Sequence, residues 1–200
     1  MAKLYFNYAA MNAGKSTMLL QAAFNYRERG METLVYTAAI DTRLGKGIVA
    51  SRIGLKCEAR IFDETTSLYK ALEEDIAATG ARCVFVDEAQ FLTAVQVMEL
   101  ARIVDYLDIP IICYGLRTDF QGALFPGSER LLAIADEIRE LKTICHCGRK
   151  ATMNLRVGPD GAAMIFGESI EVGGNERYIP LCRRHFYEKL DEARGQPNAS

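Results

Sequence analysis

The sequence predicts an α/β fold: a mostly parallel sheet with helices on both faces, followed by a smaller unit of different character. Three observations predict it. Buried-strand and amphipathic-helix patterns alternate across residues 4–116, a Gly-Lys-Ser loop separates the first strand from the first helix, and from about Lys142 onward the alternation gives way to short strand-like pieces, glycines and Cys/His pairs.

The first element is LYFNYA, a short aromatic and apolar strand, and the loop AAMNAGKST follows it. STMLLQAAFNYRERG then carries apolar residues at helical spacing up to Gly30. TLVYTAA, residues 33–39, is the next strand. Gly45, Gly47 and Gly54 punctuate GKGIVASRIGLKCEARIF, which reads as a β-hairpin laid between larger elements. SLYKALEEDIAATG is an amphipathic helix closed by Gly80, and RCVFVDEAQF is a buried strand with an acidic tip. TAVQVMELARIVDYLD reads as a helix, and IPIICYGL, residues 109–116, as another buried strand. Strands that alternate with helices in this way pair in parallel, because each crossover carries the chain back over a face of the sheet.

Bulk properties bound the rest. A chain of 200 residues, 50% of them hydrophobic, supports one substantial core, or one domain with a small appendage. The formal net charge is only -2 and no segment gathers lysines and arginines, so nucleic acid is not expected as a main partner. No apolar run is long enough to cross a bilayer, and MAKLYFNYAA runs straight into the loop, unlike a signal peptide. Of the six cysteines, Cys57, Cys83 and Cys113 sit in apolar, strand-like surroundings, whereas Cys145, Cys147 and Cys182 show metal-type spacing. That usage suits a reduced, cytoplasmic chain. Residues 196–200 read as a frayed polar tail.

Residues 9–17 end like a phosphate-binding P-loop, with Gly14, Lys15 and Ser16 in place and Ala9 where the pattern opens with glycine. Ala9, Ala10, Met11, Asn12, Ala13, Gly14, Lys15, Ser16 and Thr17 form the candidate ATP-binding loop. Backbone N–H groups at a helix start cradle phosphate oxygens, Lys15 reaches the outer phosphates and the Ser16 hydroxyl ligates Mg2+. Ala9 is expected to keep a negative φ, which makes the start of the loop less strained than in a standard P-loop. The plainer alternative is a chance Gly-Lys-Ser at a helix start. A second element argues against it: an apolar strand delivers Asp87 and Glu88 at its C-terminal end, where parallel sheets place ligands. Asp87 would hold magnesium and Glu88 would accept the proton of the attacking nucleophile, although acidic turns after strands also occur for no such reason. Together the two elements point to an ATP-dependent phosphotransferase or ATPase. Neither chooses between water and an organic hydroxyl as acceptor.

Cys145 and Cys147, with Cys182 and His185 thirty-odd residues later, offer three thiolates and one imidazole, the donor set of a closed, structural zinc site. The first pair is tighter than the usual C-x2-C, and His146 between them is a rival ligand.

Taken together, YAAMNAGKST, YTAAIDTR, VDEAQF, YGLRTDF, TICHCGRKA, GGNERY and LCRRH resemble the zinc-containing, cytosolic (type II) thymidine kinases in their bacterial branch, over nearly the whole chain. The resemblance implies a P-loop, RecA-like domain over residues 1–142 and a zinc-binding domain over residues 143–195, with a substrate-covering lasso at about 158–178. It implies transfer of the γ-phosphate of ATP to the 5′-hydroxyl of thymidine, giving dTMP in pyrimidine deoxynucleotide salvage. In that pattern Glu88 is the catalytic base, Asp87 belongs to the magnesium motif and Gln90 of VDEAQF falls with the nucleotide-binding residues. Asp41 contacts the sugar and Phe120 the base, Met11 and Leu116 line the space for the 5-methyl group, and Phe91 and Phe125 add pocket aromatics. Ser169, Ile170, Glu171, Val172, Gly173 and Tyr178 fall on the lasso that closes over the thymine. A homotetramer and feedback inhibition by dTTP are also implied. Read without the resemblance, the apolar pocket residues are ordinary core, Tyr178 a strand residue and Asp41 a turn residue. The rival function is a RecA-like ATPase coupled to a macromolecular partner.

Overall fold

The computed structural model describes residues 1–40, 45–167 and 177–195. Its strands in the first part of the chain are β1 (Leu4–Ala9), β2 (Thr33–Ala38), β3 (Ile48–Ala50), β4 (Lys56–Glu58), β5 (Arg60–Phe62), β6 (Cys83–Val86), β7 (Ile111–Leu116) and β8 (Glu137–Glu140). The helices there are α1 (Lys15–Glu28), α2 (Leu68–Thr79), α3 (Ala94–Leu107) and α4 (Pro126–Ile134). Six strands form one sheet in the order β5-β2-β6-β7-β1-β8, and every pairing in it is parallel.

Burial explains the strand sequences. All four residues of CVFV in β6 are buried, because a central parallel strand is covered on both faces. Its pleat sorts them: Val84 and Val86 join a core with Leu72, Leu100 and Leu131 from α2, α3 and α4, while Cys83 and Phe85 join Leu19 and Ala23 from α1. The sheet thus carries helices on both faces, as the alternation of patterns predicts. Thr93 and Gln96 close a capping box at the start of α3, and Gly80 ends α2 in the left-handed region.

The hairpin between β2 and α2 forms, with β3 and β4 antiparallel. Its expected extent is too long, however: residues 60–62 leave it and lie parallel to β2 as the edge strand β5, where Phe62 is fully buried. At the other edge stands β8, a short strand of mixed charge, reached through α4; neither shows as a pattern in the sequence.

Beyond residue 142 the chain builds β9 (Thr143–Ile144), β10 (Lys150–Ala151), β11 (Met153–Arg156), β12 (Tyr178–Leu181) and α5 (Arg183–Arg194). β9 pairs with β10 and β11 with β12, both antiparallel. These elements share a separate hydrophobic cluster that includes Cys145, Met153, Leu155, Leu181 and Phe186. Among the described residues no helix is long and apolar enough to cross a membrane.

Candidate active site

The phosphate loop leaves β1 at Ala9, which still pairs with Leu116 of β7. The sharp turn comes later, at Asn12 (φ 64°) and Gly14 (φ 81°). Asn12 is one of three non-glycine residues with positive φ among those described, so Ala9 keeps the ordinary conformation expected of it. Gly14 caps α1, whose first turn holds no acidic residue, so the N–H groups and positive helix end there suit an anion. Lys15 Nζ donates to the Ala10 carbonyl at 3.4 Å, inside the loop.

Across the sheet the Ser16 hydroxyl donates to Asp87 Oδ2 at 3.1 Å, joining residues 71 positions apart. Asp87 is only 3% exposed. Burial, and next the Glu88 carboxylate, push its carboxyl up to about 7, against the opposing pull of the Glu88 N–H, Lys15 and Ser16. A hydroxyl and a buried carboxylate beside a phosphate loop are the hard oxygen donors that magnesium takes together with phosphate.

Glu88 follows in the left-handed region (φ 51°, ψ 39°), a strained position for a glutamate and one that turns it off the strand into the 3-10 turn Ala89–Phe91. Gln90 Nε2 donates to Glu88 Oε2 at 2.5 Å, and Leu116 N donates to Gln90 Oε1 at 3.0 Å. Gln90, grouped with the nucleotide on resemblance, therefore has its amide engaged between Glu88 and the end of β7. Gly115 makes that approach possible, since a Cβ there would lie 2.9 Å from Gln90 Oε1 and 3.0 Å from its backbone nitrogen.

The residues expected in a substrate pocket make the following contacts. Phe91 and Phe125 meet edge to face at 5.9 Å. Phe120 lies beneath the Arg156 guanidinium, which is 3.8 Å from the ring centroid, and Met11 N donates to Asn154 Oδ1 at 2.7 Å. Tyr178 opens β12, paired with Arg156. Asp41 and Ser169, Ile170, Glu171, Val172 and Gly173 lie outside the described residues. Asn154 and Arg156 are absent from the sequence-based reading, and no local pattern marks them: they are polar residues on a strand that only the tertiary packing buries.

The candidate metal ligands also converge. Cys145, Cys147, Cys182 and His185 each bring one donor atom, all within 4.8 Å of one another. His185 Nδ1 is 3.3 Å from Cys145 Sγ and 3.5 Å from Cys182 Sγ, and the sulfurs of Cys147 and Cys182 are 3.9 Å apart. His146 stacks on His185 with centroids 4.3 Å apart and is not one of the converging four. The tight C-x-C spacing is accommodated by a turn in which Gly148 N donates to the Cys145 carbonyl at 2.8 Å, with Gly148 at φ 79°. Burial opposes ionisation of Cys145, but the Cys147 and Cys182 N–H groups and the His185 side chain outweigh it and hold the thiol down at about 6. Glu188 Oε2 stands 3.7 Å from His185 Nε2, beyond hydrogen-bond distance. The cluster could hold a metal ion.

A family model described as thymidine kinase matches residues 2–186. The chain belongs to the thymidine kinase family. The thymidine kinase of Agrobacterium fabrum is 62% identical over 191 residues, spanning 96% of this chain and 99% of its own. That of Zymomonas mobilis is 60% identical over 191 residues with the same coverage, and that of Ruegeria pomeroyi 57% over 199 residues, spanning 100% and 98%. Among solved structures, an ATPase domain aligns with a TM-score of 0.47 and 14% identity, over 69% of this chain and 68% of that one. The thymidine kinase match runs from β1 into α5, so it contains both the phosphate loop and all four converging ligands.

Proposed function

We propose that the protein is an ATP-dependent thymidine 5′-kinase. The observation that carries this is the Ser16–Asp87 hydrogen bond, which brings the phosphate loop to the acidic strand tip in a chain of this family. Loop amides and Lys15 bind and orient the triphosphate. Ser16 and Asp87 would hold a magnesium ion, which supplies electrostatic stabilisation of the phosphates. The 5′-oxygen forms its bond to the γ-phosphorus as the bond to the bridging β–γ oxygen breaks, Glu88 takes the hydroxyl proton, and ADP and dTMP result. Gln90 aims the Glu88 carboxylate and ties it to β7, beside Leu116.

Met11, Leu116, Phe91, Phe120 and Phe125 would enclose the base. On the family pattern Asp41 meets the sugar, and residues 169–173 with Tyr178 cover the thymine. Cys145, Cys147, Cys182 and His185 suit zinc, and four protein ligands leave it no open position, so the metal's role is to fold the unit at 143–195. Family membership also supports dTTP as feedback inhibitor and a homotetramer.

The test is phosphorylation of thymidine, deoxyuridine, deoxycytidine and purine deoxynucleosides with ATP and magnesium. Thymidine is expected to dominate. Equal turnover of purines rejects the pocket, and ATP hydrolysis stimulated by DNA or protein with no nucleoside product favours the ATPase reading.

A further inference from the structure

Asn154 lies on β11, in the unit beyond residue 142, yet its side chain reaches the phosphate loop. It is 2% exposed and stands opposite Pro180 of β12. A buried carboxamide is costly unless its bonds are made, so where they go is informative. Oδ1 accepts from Met11 N at 2.7 Å, across 143 positions of sequence. Nδ2 donates to the Thr118 carbonyl at 3.4 Å, in the loop between Leu116 and Phe120.

The point of attachment matters. Met11 lies between Ala10, whose carbonyl accepts from Lys15, and Asn12, which makes the left-handed turn. Fixing the Met11 amide fixes the start of that turn, and hence the direction of the N–H groups that follow it through Gly14 to Thr17. The anchor at the other end is firm: Met153, next to Asn154, pairs with Leu181, which precedes the ligand Cys182.

We infer that Asn154 is a positioning residue for the phosphate loop, through which the metal-bearing unit holds the ATP site in its binding geometry. The inference rests on the kinase reading for its kinetic consequence, and not for its binding consequence. Asn154→Ala removes the acceptor. Leu155→Val, next to it on β11, trims the same small core and leaves the Asn154 carboxamide in place.

The experiment measures ADP affinity by equilibrium titration, with KM for ATP, KM for thymidine and kcat, on folded, metal-loaded protein. Asn154→Ala is expected to weaken ADP binding and raise KM for ATP by roughly three- to tenfold, the worth of one neutral hydrogen bond. Leu155→Val is expected to stay within about twofold of the natural chain for ADP. The inference is overturned if the two variants shift ADP binding alike, if neither shifts it, or if only KM for thymidine changes. Should Asn154→Ala not fold, Asn154→Ser takes its place, since its hydroxyl is too short to span to Met11, and the same outcomes decide. A natural chain that phosphorylates no thymidine would sink the kinase reading and leave the ADP comparison to judge this one.

Discussion

Glu88 combines a strained backbone with a firmly held side chain: its φ is 51°, and Gln90 donates to its carboxylate at 2.5 Å while bonded to the Leu116 amide. The turn lifts the carboxylate off the strand, and Gln90 limits where it can go. Glu88→Gln should lower kcat by about 10²–10⁴-fold with ATP and thymidine affinities nearly unchanged, as loss of a general base does. Gln90→Leu keeps the base but frees it, and should lower kcat by a smaller factor, about tenfold. Steady-state kinetics on both variants checks the order; a Gln90→Leu enzyme as slow as Glu88→Gln would mean that Gln90 does more than orient. The candidate base was legible in VDEAQF. Its support was not, because Gln90 meets Leu116 only through the sheet pairing that brings β7 alongside β6.

At the scale of elements, the 3-10 turn at Ala89–Phe91 is wedged against α4. Gly127, in the first turn of α4, makes this fit: a Cβ would lie 2.6 Å from the Leu92 carbonyl oxygen and 2.7 Å from that of Ala89. Both are backbone atoms and cannot swing aside. Gly127→Ala gains about 0.5–1 kcal/mol of helix propensity but meets an overpacking cost of about 1–3 kcal/mol, so the balance is destabilising. A lower Tm by thermal melting, together with a lower kcat because Gln90 rides on the displaced turn, is the expected pair of results. An unchanged or higher Tm would show that α4 can move away at little cost. Periodicity revealed the long helices and central strands, since their burial repeats along the chain. It overran the hairpin into residues 60–62 because three residues carry no period, and the pairing of β5 with β2 depends on a partner far away in sequence.

The whole molecule has two kinds of core. Around the parallel sheet, helices bury apolar strands on both faces, whereas the elements beyond residue 142 share a smaller cluster beside Cys145, Cys147, Cys182 and His185. So small a core would gain much from a metal that binds only the folded form. With a structural metal at this cluster, a chelator should raise hydrogen exchange in β11, β12 and α5 well before the central sheet responds. Mass-spectrometric exchange measures this, and uniform protection before and after chelation would contradict a structural metal. By itself, the sequence determined the α/β class, the phosphate loop, the acidic strand tip and the two Cys/His pairs that are candidate metal donors, because each is written in a short stretch whose chemistry does not depend on distant residues. Only the tertiary structure decided that Gln90 braces Glu88, that Gly115 and Gly127 make room for it, and that Asn154 grips Met11. Each of these is a contact between segments remote in the chain, and burial and hydrogen bonding across such distances exist only after the elements have packed.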